Sequence, residues 1–240
     1  MKGRYFIFVL ISFCIIFSSC KMSNKQLHRL QELETGVSSP TTVEELEDAI
    51  EKYSQRVEDV TSANAQIGVW YKMIASRYID KKMYGEALKN YQKAIEFYPT
   101  NQNLYYWVGV CAGFMAQSSL DYDGRGDNSQ KMNYYRLAES AYKQAIKIDD
   151  RFTRPMRGIS ILYIYELDES EKAIPYLEKL LSIETKDTDA MLLLARAYYT
   201  QYDFEKAVDI YDNIIKVTKS EIRKAEAIEL KAQVLETMYN

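Results

Sequence analysis

Residues Gly68 to Pro99 read "GVWYKMIASRYIDKKMYGEALKNYQKAIEFYP", and the spacing of large and small side chains in this stretch decides the fold. Counting Gly68 as the first position, large residues stand at Tyr71, Ile74, Tyr78 and Tyr91, and small ones at Ala75, Ala87 and Ala94. Intervals of three and four residues trace one face of a helix. Alanines let two antiparallel helices approach closely, while the aromatic side chains fill the space toward whatever packs next. Pro99 closes the second helix, since its ring and missing N–H cannot continue the backbone ladder. The stretch predicts two antiparallel helices joined by a short turn.

The same register returns along the chain. From Thr188, residues Met191, Leu194, Ala195, Tyr198, Ala207 and Tyr211 take the matching places, with Ile214 where the last small residue stood. From Thr153, residues Met156, Ile159, Ser160 and Tyr163 fit the first helix, and the second-helix alanine, Ala173, comes one residue late. From Gln102, Tyr105, Val108 and Gly109 fit, but the next alanine arrives only at Ala138, 17 residues beyond its counted place.

This pattern resembles the tetratricopeptide repeat, a helix–turn–helix unit of about 34 residues. The resemblance covers residues 65–219 and implies an all-α fold, a right-handed α-solenoid of about four helix pairs. The pairs are 68–101, 102–152 with a 17-residue insertion, 153–187 and 188–219. Ahead of them, Thr42-Val43-Glu44-Glu45 is a capping box that opens an N-terminal helix over 42–62. Residues 220–240, studded with Lys and Glu, read as a capping helix, because a stack of repeats needs a terminal element with one polar face.

Residues 1–19 read as a signal peptide rather than as part of the fold. Lys2 and Arg4 precede an apolar run of 13 residues from Tyr5 to Phe17. As a helix that run reaches about 20 Å, short of the roughly 30 Å hydrocarbon core. Phe17-Ser18-Ser19-Cys20 resembles a bacterial lipobox, with Phe17 where a leucine is usual. That resemblance implies that Cys20 is lipidated and becomes the first mature residue, holding the chain on a membrane without spanning it. Residues 20–41 then form a polar tether. The expected location is the bacterial envelope, on the cell membrane or outer membrane and facing the periplasm.

The sequence offers no chemistry for catalysis. His28, the single histidine, lies in the tether, so no Ser–His–Asp or Cys–His set can form. No phosphate-cradling glycine loop, HExxH or CxxC spacing occurs, so no metal or cofactor is expected, and no enzyme. Cys14 lies in the apolar run and Cys111 in an apolar helix, where a lone thiol is inert packing. A formal charge of −3 leaves no basic footprint for nucleic acid.

Function is therefore expected from a surface. The resemblance implies that the first helices of successive repeats line a concave groove that holds protein partners. Carried over position by position, the groove residues are Lys72, Asn103, Tyr106, Phe114, Arg154, Arg157, Tyr165, Arg196 and Tyr199, with Ile164 among their neighbours. Arginine and tyrosine are common interface anchors. The family's clamp for C-terminal carboxylates is not reproduced, because Ser76 stands where Asn is expected and Trp107 fills another clamp position.

The insertion carries "SSLDYDGRGDNSQ", Ser118 to Gln130. Asp121 and Asp123 begin like a calcium loop, but Arg125 and Met132 stand where further ligands are needed. Arg125-Gly126-Asp127 spells a tripeptide that integrins read. Apolar residues on both sides predict that the two flanking helices run on by one to two turns, leaving Asp121 to Asn128 as a turn at the tip of a projecting hairpin. The leading expectation is a non-enzymatic envelope lipoprotein that scaffolds a protein partner, in envelope assembly or as a transporter accessory. A small-ligand binder and a surface adhesin are the alternatives, and a homo-oligomer is a further expected association.

Overall fold

The computed structural model describes residues 42–119 and 129–239. These residues form nine α-helices and one π-helical turn, and no strand occurs among them. The insertion tip, with Asp121, Asp123, Arg125 and Asp127, lies outside the described residues, as do residues 1–41 with Cys20 and His28.

The chain divides into two compact units, Met1–Thr61 and Ser62–Asn240. Helix α1, Val43–Asp80, supplies the described part of the first unit and opens the second. Its capping box is formed: Thr42 Oγ1 accepts from the Glu45 N–H, and Glu45 Oε2 accepts from the Thr42 N–H, both at 3.2 Å.

The helix expected over 42–62 does not stop there but runs unbroken to Asp80. No proline interrupts the segment, and Gly68, the residue best suited to a break, is held inside the helix by a distant side chain. The Tyr98 ring lies 2.6 Å from where a Cβ on Gly68 would stand, and the Tyr98 hydroxyl donates to the Ala65 carbonyl at 2.7 Å.

In the second unit, first helices are the end of α1, α3 (Gln102–Ser118), α5 (Thr153–Ile161) and α7 (Thr188–Thr200). Second helices are α2 (Tyr84–Phe97), α4 (Ser129–Ile148), α6 (Ser170–Ile183) and α8 (Phe204–Val217), and α9 (Glu221–Tyr239) packs on α8. Contacts run between neighbours along the chain, as a stack of helix pairs requires. The small positions are the most deeply buried: Ala75, Ala87, Ala94, Ala173, Ala195 and Ala207 are wholly inaccessible. Tyr142 shows how tight the approach is. Its ring stands 2.5 Å from the place of a Cβ on Gly109 and 2.7 Å from that on Gly158.

Three non-glycine residues adopt a left-handed backbone: Lys82 (φ 57°), Asp168 (φ 54°) and Tyr202 (φ 61°). Each sits in the turn between the two helices of a repeat. Lys82 and Tyr202 occupy the same place in their repeats, whereas Asp168 comes one residue late, like Ala173. The extra residue is absorbed just upstream, where α5 continues as a π-helical turn over Leu162–Glu166. A π turn carries one more residue per hydrogen bond than an α turn, so it takes up an insertion without breaking the helix.

The arms of the inserted hairpin are lengthened helices. α3 has 17 residues against 13 in α7, and α4 has 20 against 14 in α2. These differences amount to about one turn and between one and two turns.

Ala94 tests the register of the stack. Replacing it with Leu adds three carbons to a site with no exposed surface, which should cost about 1–3 kcal/mol. The expected result in a thermal melt is a transition several degrees lower, whereas the same change at exposed Lys93 should leave it in place.

Candidate functional site

A cleft of about 640 Å³ opens between α5 with its π turn, α7 and α9. Ile161, Leu192, Leu230 and Val234 give it apolar walls, and Arg157, Arg196, Tyr165 and Tyr199 line it with charge and rings. α5 and α7 are successive first helices, so their groove-facing positions meet here.

The local chemistry that fixes these side chains starts at Asp187. Its carboxylate caps α7, accepting from the N–H groups of Asp189 and Ala190 at 3.1 Å each. The same carboxylate pairs with the Arg157 guanidinium, which also lies 3.6 Å from Glu184. Burial pushes the Asp187 carboxyl upward, but the Ala190 N–H and Arg157 more than offset it and hold the group below its ordinary 3.8. Across the cleft, Arg223 on α9 pairs with Asp189 and, at 2.7 Å, with Glu226, tying the cap to the start of α7.

Arg196 is treated differently. Its guanidinium lies 4.7 Å over the Tyr165 ring, and no carboxylate forms an ion pair with it among the described residues. A cation held on a ring face keeps its outer N–H groups open to a ligand. Tyr199 stands beside it, its ring 5.6 Å from that of Phe204.

The other groove residues are dispersed. Lys72 and Asn103 line a separate cleft of about 250 Å³ with Ser76, Tyr91 and Trp107. Phe114 stacks on Tyr84 at 4.2 Å and borders a smaller cavity of about 180 Å³ with Tyr135 and Glu166. Tyr106 is half-buried among the rings of Trp107, Tyr142 and Phe152, where it packs the core. Arg154 is exposed and borders none of these clefts. Ile164, counted onto the groove, is buried instead, within the π turn, while Tyr165 keeps its counted place at the surface.

Position counting along the repeats does not reach Arg223, Glu226, Leu230 and Val234, which lie on the capping helix. Their spacing of three and four along α9 was the signal that this helix has an inward stripe.

Cys111 is fully buried, and burial pushes its thiol up to about 12, so it stays protonated. Among the described residues, no three His, Cys, Asp or Glu side chains are grouped to hold a metal ion. Among the same residues, no helix is long and apolar enough to cross a membrane.

Sequence models of the tetratricopeptide repeat match residues 71–101, 122–152 and 166–234. The chain belongs to the tetratricopeptide repeat family. It is 26% identical over 214 residues to a TPR repeat-containing protein of Borreliella burgdorferi, covering 87% of this chain and 90% of that one. Among solved structures it is similar to a thermophilic TPR protein of Thermus thermophilus, with a TM-score of 0.54 at 17% identity. That match covers 74% of this chain and 86% of the other. MamA of Desulfovibrio magneticus gives a TM-score of 0.54 at 16% identity, over 70% and 93% of the two chains. YrrB, described as a TPR protein with an unusual peptide-binding site, gives 0.53 at 20% identity, over 78% and 85%.

Asp187 makes the cleft's frame sensitive to acid. Its depressed folded value means that its contribution is present at neutral pH and is lost as pH falls below about 4. Asp187→Ala should remove a helix cap worth about 0.5–2 kcal/mol. Denaturant midpoints from pH 7 to pH 3 should then start lower and fall less steeply than those of the parent.

Proposed function

We propose that this protein is a non-enzymatic scaffold whose cleft, framed by α5, α7 and α9, holds an extended segment of a protein partner. One observation carries the reading: Arg196, held on the Tyr165 ring and free of any ion pair among the described residues, sits inside an apolar-walled cleft. The occupant it suits is a segment with an acidic group for Arg196 and apolar side chains for Ile161, Leu192, Leu230 and Val234. The peptide-binding site attributed to YrrB is in keeping with this use of the fold. The chain works at the bacterial envelope, anchored through Cys20, in assembly or as a transporter accessory. A second reading rests on cleft volume: about 640 Å³ also suits a small amphiphilic carboxylate.

Mild cross-linking in the envelope, followed by purification, tests the scaffold. Arg196→Glu should abolish recovery of the partner, a loss of about 2 kcal/mol or more at an anchor residue. Arg154→Glu, away from the clefts, should leave recovery unchanged. Equal recovery with both variants would overturn the assignment. Stabilisation of the purified chain by small carboxylates, with no protein recovered, would favour the second reading.

The anchor has its own test by membrane fractionation. Cys20→Ala should move the protein from the membrane to the soluble fraction, and continued membrane attachment would sink lipidation.

A further inference from the structure

The first unit carries a feature that the cleft does not use. Along α1, Val43, Leu46, Ile50, Val57 and Val60 are 66%, 46%, 65%, 64% and 60% exposed. Tyr53 fills the remaining place in the series. The intervals are three, four, three, four and three, a repeat of 3.5 residues rather than the 3.6 of a helix lying on a core. In heptad terms Val43, Ile50 and Val57 are a positions, and Leu46, Tyr53 and Val60 are d positions.

We propose that this strip is the seam of a parallel coiled coil with a second copy of the same chain. The choice of occupant follows from residue types. β-Branched residues hold all three a positions, as in two-stranded seams, and Leu46 is the one leucine among the d positions. Continuing the count, the next a position is Asn64, and a single asparagine there specifies register and strand number.

The flanks agree. In a parallel pair in register, Ala49 of one copy faces Ser54 of the other, and Arg56 faces Thr61, so no like charges meet. Most of the acidic residues, Glu44, Glu45, Asp48, Glu51, Glu58 and Asp59, fall on the positions farthest from the seam. A membrane surface is a poor alternative. Helices that lie on membranes carry a broad apolar face flanked by Lys and Arg, whereas this strip is narrow and its surroundings are acidic. A parallel arrangement puts both N-termini at one end, which suits the proposed anchoring of both chains to one membrane through Cys20.

The test uses the full chain, purified in mild detergent and oxidised with copper phenanthroline. Single Ile50→Cys and Val57→Cys variants should give a disulfide-linked species of twice the chain mass. Gln55→Cys, on the outer face, should not exceed the background of the parent. By light scattering the parent should be a dimer, and the Ile50→Glu/Val57→Glu variant a monomer with the parent's helix content. Four results would each overturn the proposal. The parent could be monomeric at high micromolar concentration, or Gln55→Cys could link as fully as Ile50→Cys. The double variant could remain dimeric with the parent's helix content. A monomer whose Ile50→Cys thiol is shielded from a thiol reagent would assign the strip to another segment of the same chain.

Discussion

Everything in the second unit depends on how closely neighbouring helices approach. The Tyr142 ring occupies space that a methyl group on Gly109 or Gly158 would claim, so repeats two and three are joined through one aromatic side chain seated on two glycines. The wholly buried alanines do the same work inside the other pairs. A helix pair of this kind cannot bury its apolar face alone, so stability comes from stacking on a neighbour. Two further tyrosines join adjacent repeats by hydrogen bonds. Tyr163 donates to Glu139 and Tyr198 to Glu178, each at 2.7 Å and each reaching the second helix of the repeat before. Abundant tyrosine thus serves two purposes, ring packing at the contact and a hydroxyl that reaches the outer polar face.

The cleft is a product of the same stacking, refined by charge. Arg157 and Arg223 are each held by two carboxylates, so they frame the cleft more than they offer themselves to a ligand. Arg196, stacked on Tyr165, is left without an ion pair among the described residues. Among the three arginines in and around the cleft, environment separates those held by carboxylates from the one stacked on a ring. Residue type alone does not.

Much of the fold was legible because its determinants are local. The alanine and tyrosine spacing of Gly68–Pro99 recurs in Thr188–Tyr211, and each helix forms within reach of its own pattern. What was not legible depends on contacts distant in sequence. The continuity of α1 through Gly68 is enforced by Tyr98, 30 residues on, which no local rule weighs. The site was only partly readable for the same reason. Arg157, Tyr165, Arg196 and Tyr199 fall together because they hold equivalent positions in adjacent repeats. Tyr106 is diverted into packing by Trp107, Tyr142 and Phe152, and α9 enters the cleft through pairing with Asp189.

The π turn at Leu162–Glu166 acts as a phase shifter. Within it Ile164 is buried, Tyr165 keeps its place on the larger cleft, and Glu166 accepts from the Tyr135 hydroxyl beside the smaller cavity. Because the surplus residue is taken up within one turn, α6 and everything after it keep their seats in the stack. A length change at this point therefore rewrites which side chain faces the groove without disturbing the scaffold. Recognition in such an array can diverge by insertion and deletion inside a helix, a route that comparing residues position by position would read as misalignment.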